Sequence, residues 1–481
     1  MRYFLILISF FSLLAISAFA QAGRVKPGSP NGQTDSASDA AAASSASAEK
    51  MHEEANVYAS LKYKEFERKK IPYSDTLQKQ VVREQKQLAA KYAALIGTRQ
   101  NLPGADIYFL GMLHWLAENT HGADENLRKF LATENTAIDK TQTARSVLAI
   151  IAARRKNFDE AENFLTDYEK TGGVQWREKS RMQSELAESY LREKTFARAA
   201  HHAAEAYRVS KANFKEMTSR TRALAELLDS AATLFEIYRQ SGNQQEAEAA
   251  LEDLRKMAVT VVSTGIYYYA LDNLIKYKIE TNRKPEALLM YSKAPSEITK
   301  DFSVKSLQDE LLLRFQRREK QYKLLGEPAP ELILIDRATS AVAQKNLANL
   351  RGKVVLLDFW ATWCGPCLGA FPWLIELHEN FQKDGLEILG LTRYYGQAEG
   401  ATVNEAEEFE FLRRFKRAEN LPYDFIVAKD STNHLNYSAQ IIPTTVIIDR
   451  KGIIRYAESG TSPAHAQAVR ATVERLLAEK Q

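Results

Sequence analysis

The sequence predicts a multidomain chain in which an all-α region of helical hairpins is followed by an α/β domain with a mixed central sheet flanked by helices. Three observations carry this expectation. No proline occurs between Pro103 and Pro285, and apolar residues recur there at helical spacing. The break Gly326-Glu327-Pro328-Ala329-Pro330 ends that pattern. Beyond it, short β-rich runs alternate with helical stretches. A length of 481 residues fits two or three domains.

The N-terminus has the three parts of a secretory signal. Met1-Arg2-Tyr3 supplies a basic residue, Phe4 to Phe19 an apolar run, and Ala18-Phe19-Ala20 a small-residue cleavage pattern. A signal peptide over residues 1–20 is therefore expected, which places the protein in the periplasm or another extracytoplasmic space. The apolar run is shorter than the roughly 20 residues of a spanning helix, and an uncleaved anchor is the alternative. No cysteine lies near the cleavage site, which excludes a lipoprotein anchor. Residues 21–50 are rich in Ser, Ala, Gly and Asp and lack large apolar residues, so they read as a disordered linker.

Residues 51–323 read as an α-helical repeat domain. Apolar sets such as Tyr108-Phe109-Met112-Leu113-Leu116 and Leu186-Tyr190-Leu191 have the helical period. Short polar breaks separate them at Arg155-Lys156-Asn157, Glu193-Lys194, Ser241-Gly242-Asn243 and Thr281-Asn282-Arg283. An alanine follows each break, at Ala161, Ala199, Ala247 and Ala287, and Ala149 and Ala187 lie upstream of the first two. Small residues at these places let paired helices approach closely. The pattern resembles degenerate tetratricopeptide repeats, with Phe235 and Ile275 at the upstream position in the later units. Such an array either presents a concave surface to a protein ligand or serves as a spacer or dimerisation module.

From Gly326 to the end, residues 326–481, the elements expected in order are strands Glu331–Ile335, Val354–Phe359, Leu386–Leu391, Phe425–Ala428, Thr444–Asp449 and Ile453–Ala457. Arg450-Lys451-Gly452 joins the last two as a hairpin. Helices are expected at Pro366–Phe381, about Glu405–Ala418, and Pro463–Ala478, the last announced by Ser462-Pro463. Basic and acidic residues nearly cancel, 65 against 61, which gives no support for nucleic-acid binding.

Chemistry concentrates at Trp363-Cys364-Gly365-Pro366-Cys367, which holds the only two cysteines of the chain. They follow the apolar run Val354-Val355-Leu356-Leu357-Asp358-Phe359, the layout of a dithiol/disulfide centre on a strand-to-helix turn. At a helix N-terminus the unpaired N–H groups and the dipole stabilise a thiolate, which marks Cys364 as the exposed nucleophile. Cys367 sits almost one turn further along and can resolve the mixed disulfide. A lone Cys-x-x-Cys supplies two of the four ligands zinc normally takes, and His378 and His434 are isolated. No metal and no cofactor is expected, and both histidines read as surface or groove residues.

Phe359-Trp360-Ala361-Thr362-Trp363-Cys364-Gly365-Pro366-Cys367 resembles a thioredoxin-fold active site. The last third of the chain is similar to the TlpA/ResA-type thiol–disulfide oxidoreductases. It shares Gly326-Glu327-Pro328-Ala329-Pro330, Gly352-Lys353, a helical insert with Phe409, Phe411, Leu412 and Phe415, then Tyr437, Ile442-Pro443-Thr444-Thr445 and Ile448-Asp449-Arg450-Lys451-Gly452. The resemblance implies a thioredoxin fold. It implies a cis bond before Pro443, with Ile442 pairing to an extended substrate chain, and a kink at Pro372. It also implies that Asp358 is a buried acid that takes the proton of Cys367. Trp363, Gly365, Pro366, Ile442 and Pro443 are then the residues expected to contact substrate. Two departures stand out. Gly-Pro between the cysteines is the dipeptide of thioredoxin itself and favours a reducing role. Gly390 aligns where thioredoxin places a lysine beside its buried acid, so that partner is absent. The family further implies protein-disulfide substrates and a membrane electron donor of the DsbD/CcdA kind. The expected function is an extracytoplasmic protein-disulfide reductase whose repeats position partners. The alternative is an envelope scaffold with a structural thioredoxin-like domain.

Overall fold

The computed structural model describes residues 47–72, 74–134, 136–217, 219–333 and 346–479. The expected signal peptide and most of the linker lie outside them. The first helix nevertheless begins at Ala48, so the last three residues read as linker are helical. Helices follow one another as α1 (Ala48–Arg68), α2 (Asp75–Gly97), α3 (Gly104–Leu116), α4 (Thr120–Leu131), α5 (Ile138–Arg154), α6 (Phe158–Lys170), α7 (Trp176–Arg192), α8 (Phe196–Ala212), α9 (Arg220–Ser241), α10 (Gln244–Thr260), α11 (Thr264–Glu280), α12 (Lys284–Asp301) and α13 (Lys305–Leu324). No described helix is long and apolar enough to cross a membrane. The chain divides into two compact units, Met1–Ala250 and Leu251–Gln481. Helix α10 runs across the division, so α11 to α13 fall in the same unit as the sheet.

In the first unit, α3 packs on α4, α5 on α6 and α7 on α8. Each polar break named above closes a helix with a residue at positive φ: Lys156, Lys194 and Gly242 here, and Asn282 in the second unit. At Lys156 the turn is sealed by Asn157 N–H to Ala152 O (2.9 Å) and Lys156 N–H to Ala153 O (3.0 Å). This is the paired closure of a Schellman motif, which satisfies carbonyls at the helix end. The same two bonds recur at Lys194, Gly242 and Asn282, and at Glu118 after α3. Ala149, Ala161, Ala187 and Ala199 are all buried, as close hairpin packing requires. Gly111 and Ala123 supply an earlier pair of small residues in α3 and α4, where a Cβ at position 111 would lie 2.8 Å from Leu127.

The second unit adds strands β1 (Val354–Phe359), β2 (Leu386–Arg393), β3 (Gln397–Ala398), β4 (Ala401–Thr402), β5 (Asp424–Ala428), β6 (Thr444–Ile448) and β7 (Ile454–Ser459). It adds helices α14 (Gly365–Phe381), α15 (Glu405–Ala418), α16 (Thr432–Asn436) and α17 (Pro463–Ala478). The main sheet has the order β5-β2-β1-β6-β7. Strand β1 pairs parallel to β2 and antiparallel to β6, β2 pairs parallel to β5, and β6 pairs antiparallel to β7. This is a thioredoxin fold. Every residue of β1 is buried, as a central strand covered on both faces demands. One face carries Val354, Leu356 and Trp360 into a core shared with Cys367, Phe371 and Leu374 of α14 and Val469, Val473 and Leu476 of α17.

The expected first strand differs. Among its described residues, Glu331 to Ile333 form no strand. Their polar groups are satisfied otherwise: the Asn433 side chain accepts from Ile333 N–H and donates to Ile333 O, both at 2.9 Å. Tyr437 donates its hydroxyl to Pro330 O, and Glu331 accepts from Leu347 N–H at 3.1 Å. Side chains have replaced the ladder.

Candidate functional site

Strand β1 ends at Phe359, and five residues later Cys364 caps α14. Pro366 occupies the first turn of that helix, where its missing N–H costs nothing, and Pro372 lies within it. The two cysteines form a disulfide with an S–S distance of 2.04 Å and Cα atoms 5.2 Å apart. Cys364 Sγ accepts the Cys367 N–H at 3.3 Å, so the helix N-terminus is directed at the sulfur expected to attack. Cys364 keeps 5% of its surface and Cys367 none. Cys364, expected as the exposed nucleophile, is therefore nearly as enclosed as Cys367 in the disulfide form. Around it Trp363 is 55% exposed, and Gly365 and Pro366 are also exposed.

The loop before β6 carries the cis bond between Ile442 and Pro443. Ile441 is 66% exposed, Ile442 is half-buried and Pro443 is buried. Thr444 Oγ1 bonds Ile441 O and the Ser459 hydroxyl, and Gly460 N–H donates to Pro443 O at 3.0 Å.

Asp358 alternates along β1 with Leu356 and Trp360, so its carboxyl faces the layer that holds Cys367. It is buried, and neither oxygen has a hydrogen-bond partner among the described residues. Burial alone raises its pKa to about 7. Its neighbour across β2 is Gly390, and that of Gly390 on β5 is Phe425. A Cβ at Gly390 would lie 2.9 Å from both Trp360 Nε1 and Phe425. The indole thus fills the place a lysine would need, which explains physically why the acid has no cationic partner. Burial raises the pKa of Tyr423 first, and the charge of Asp358 raises it further.

The sheet domain has relatives. A model of the AhpC/TSA family matches residues 325–457. The thiol–disulfide oxidoreductase ResA of Geobacillus thermodenitrificans is 30% identical over 143 residues, which are 30% of this chain and 74% of that protein. The chain belongs to the ResA-like thiol–disulfide oxidoreductases. The thioredoxin-like protein YneN of Bacillus subtilis is 32% identical over 28% of this chain and 72% of its own. A crystal structure of a putative thiol:disulfide interchange protein DsbE from Chlorobium tepidum covers 31% of this chain and 96% of its own, at 26% identity and a TM-score of 0.25.

Four residues in this ResA-like domain carry no motif in the sequence. The Trp363 ring meets Tyr395 edge-on, with centroids 5.3 Å apart. The Arg393 guanidinium lies 4.4 Å from the Tyr395 centroid. Buried Glu408 accepts from Tyr395 N–H (2.9 Å) and Gly396 N–H (2.8 Å) and so fixes the loop after β2. A sequence signal existed: Glu408 shares a helical face with Phe411 and Leu412 at i, i+3 and i+4. His434, expected as a surface or groove residue, is buried against Phe359. Burial and then Arg393 lower its pKa to about 4. No group of metal-ligating side chains occurs among the described residues.

Proposed function

We propose that this oxidoreductase reduces protein disulfides outside the cytoplasm. The Cys364 thiolate attacks one sulfur of a substrate disulfide. A Cys364–substrate bond forms, the substrate S–S bond breaks, and one substrate thiolate leaves. Cys367 then gives its proton to Asp358 through a water and attacks Cys364 Sγ. This closes the Cys364–Cys367 disulfide and frees the second substrate thiol. Two electrons pass from the enzyme to the substrate. Trp363, Gly365, Pro366, Ile442 and Pro443 form the substrate-contacting rim.

The observation that carries this reading is the unpartnered carboxyl of Asp358 facing the layer that holds Cys367, in a disulfide whose two cysteines are both buried, Cys364 keeping 5% of its surface. A buried acid with a pKa near 7 is a competent acceptor for a thiol proton. The extracytoplasmic setting rests on the signal-like Met1–Ala20, and the reducing direction on Gly365-Pro366. In such a compartment the pair needs its own electron source, by resemblance a membrane donor of the DsbD/CcdA kind. The tetratricopeptide-like helices bind a protein and bring it to the redox domain.

The test is the reduction potential of the Cys364–Cys367 pair together with turnover of a disulfide-bonded protein. Turnover with dithiol as electron source is expected, and Cys367→Ser is expected to accumulate mixed disulfides at Cys364. A potential below about −300 mV, the range of inert structural disulfides, combined with no turnover would overturn the reading.

A further inference from the structure

Helices α11 and α13 meet strand β7 through a cluster of charged side chains. On α11, Asp272 and Lys276 stand one turn apart and pair with each other. On α13, Arg318 reaches Asp272 with Nε at 3.2 Å, and Tyr322 donates its hydroxyl to the same carboxylate. Both cations also grip Glu458 of β7: Arg318 Nη2 lies 3.1 Å from Glu458 Oε1, and Lys276 Nζ bonds the same oxygen. Two carboxylates thus share two cations. Asp272 and Arg318 are buried, and the Glu458 side chain keeps 27% of its exposure.

The backbone makes the same junction. Gly326 N–H donates to Ile454 O at 2.8 Å, Ile454 N–H to Glu327 O at 2.9 Å, and Ala329 N–H to Gly452 O at 2.9 Å. The segment leaving α13 therefore pairs with the start of β7, with Pro328 opposite Ile453.

Glu458 is well placed to transmit this grip. It stands directly opposite Thr445 in the β6–β7 ladder, and Thr445 stands opposite Asp358. The next two residues tie down the loop before β6: Ser459 Oγ bonds Thr444 Oγ1 at 2.6 Å, and Gly460 N–H donates to Pro443 O at 3.0 Å. A hydrogen-bonded and covalent path thus leads from Lys276 and Arg318, through Glu458 to Gly460, into the Ile441–Thr444 loop.

We propose that Lys276 and Arg318 are positioning residues for disulfide exchange: by holding Glu458 they fix the end of β7 that anchors the substrate-contacting loop. Helices α11 to α13 then belong to the redox module as well as to the helical arm. Loss of either cation removes one of the two contacts that hold this half-enclosed carboxylate, and turning toward water is its way to recover solvation. That turn draws Ser459 and Gly460 from Thr444 and Pro443. The thiol chemistry of the cysteines is untouched, because no member of the cluster contacts them. The effect therefore falls on substrate binding.

This proposal rests on the reading that the loop receives substrate, and the test separates the two. The full chain is compared with Lys276→Met, Arg318→Met and Glu458→Gln, and with Lys276→Arg as the conservative control. Turnover of a disulfide-bonded protein gives KM and kcat, the reduced enzyme gives the iodoacetamide alkylation rate of Cys364, and hydrogen exchange follows the Gly460 amide. The expected result is a KM raised about tenfold, the weight of roughly one hydrogen bond. The expected kcat and alkylation rate are unchanged, Gly460 exchanges faster, and Lys276→Arg behaves as wild type. Unchanged KM and unchanged Gly460 exchange in folded Lys276→Met and Arg318→Met overturn it. Should Arg318→Met not fold, Glu458→Gln, which keeps the shape of the contact, decides by the same two readouts. No turnover by the wild type defeats the exchange reading alone, and the Gly460 amide then still tests the anchoring.

Discussion

Asp358 shows how much one residue can carry. Its carboxyl has a pKa of about 7 in the folded chain against roughly 3.9 for a free aspartate. The folded protein therefore holds a proton that the unfolded chain releases between about pH 4 and pH 7. Where the native state binds more protons, stability falls as pH rises, so the penalty grows across that window and is complete above it. Three pKa units amount to about 4 kcal/mol. Asp358→Asn is expected to leave stability unchanged near pH 4 and to raise it by an amount of that order at pH 8. Denaturant melts at the two pH values check this, and equal effects at both would refute it. The resolving step of the wild type is expected to accelerate as pH passes 7, and in Asp358→Asn that rise disappears; stopped-flow tryptophan fluorescence reads it. The acid and the cysteines were legible in the sequence because they sit in one short contiguous stretch, and the glycine opposite was placed by the resemblance to thioredoxin. The filling of the Gly390 gap by Trp360 was not legible, since it depends on side-chain direction across three strands. Glu408, a charge inside the apolar face with Phe411 and Leu412, left a signal in the sequence that the motifs do not use. Glu408→Ala leaves two N–H groups without their acceptor and is expected to cost about 2–4 kcal/mol. The same change frees the Tyr395 loop and alters Trp363 emission, and an unaltered denaturation midpoint would contradict the assignment.

At the scale of elements, the hairpin breaks were the most readable part of the helical region. A helix that reverses in a short turn needs a residue at positive φ, and Lys156, Lys194, Gly242 and Asn282 fall inside the polar breaks. Val262, after α10, has φ 52° with the same two closing bonds, from Ser263 N–H to Ala258 O and Val262 N–H to Val259 O. A β-branched residue is a poor occupant of that conformation, and its side chain is 55% exposed. Val262→Gly is expected to stabilise the chain by about 1 kcal/mol, the left-handed penalty less the added freedom of the unfolded state. A fall in melting temperature would show that the valine is held there by something else. The strand expected at Glu331 failed for an instructive reason. Its apolar run is real, but Asn433, a hundred residues away, takes both backbone groups of Ile333. Local pattern cannot reveal a distant side chain that substitutes for a neighbouring strand.

For the whole molecule, composition placed the change from helices to sheet at the proline-rich break near Gly326. The helices end at Leu324, just before that break, and the compact division falls earlier, at Ala250 and Leu251. The difference comes from contacts such as Lys276–Glu458, between residues 182 positions apart, which leave no trace in any local window. A consequence can be measured. Amides of α13 and β7 are expected to share one opening free energy in native-state hydrogen exchange, since the junction joins them into one cooperative element. Opening of α13 at a clearly lower free energy than β7 would show that the helices are merely appended. The segment that pairs with the start of β7 has one more effect. A bare edge strand is a template on which a second chain can polymerise, and many folds blunt it with charge or a bulge. Here residues 326–329 take the backbone groups of Ile454 and the carbonyl of Gly452, at the start of that edge, from within the same chain. The segment that leaves the helical arm thus doubles as a guard against edge-to-edge aggregation, and a redox domain cut out beyond Ala329, without that segment, has insolubility as its expected first failing.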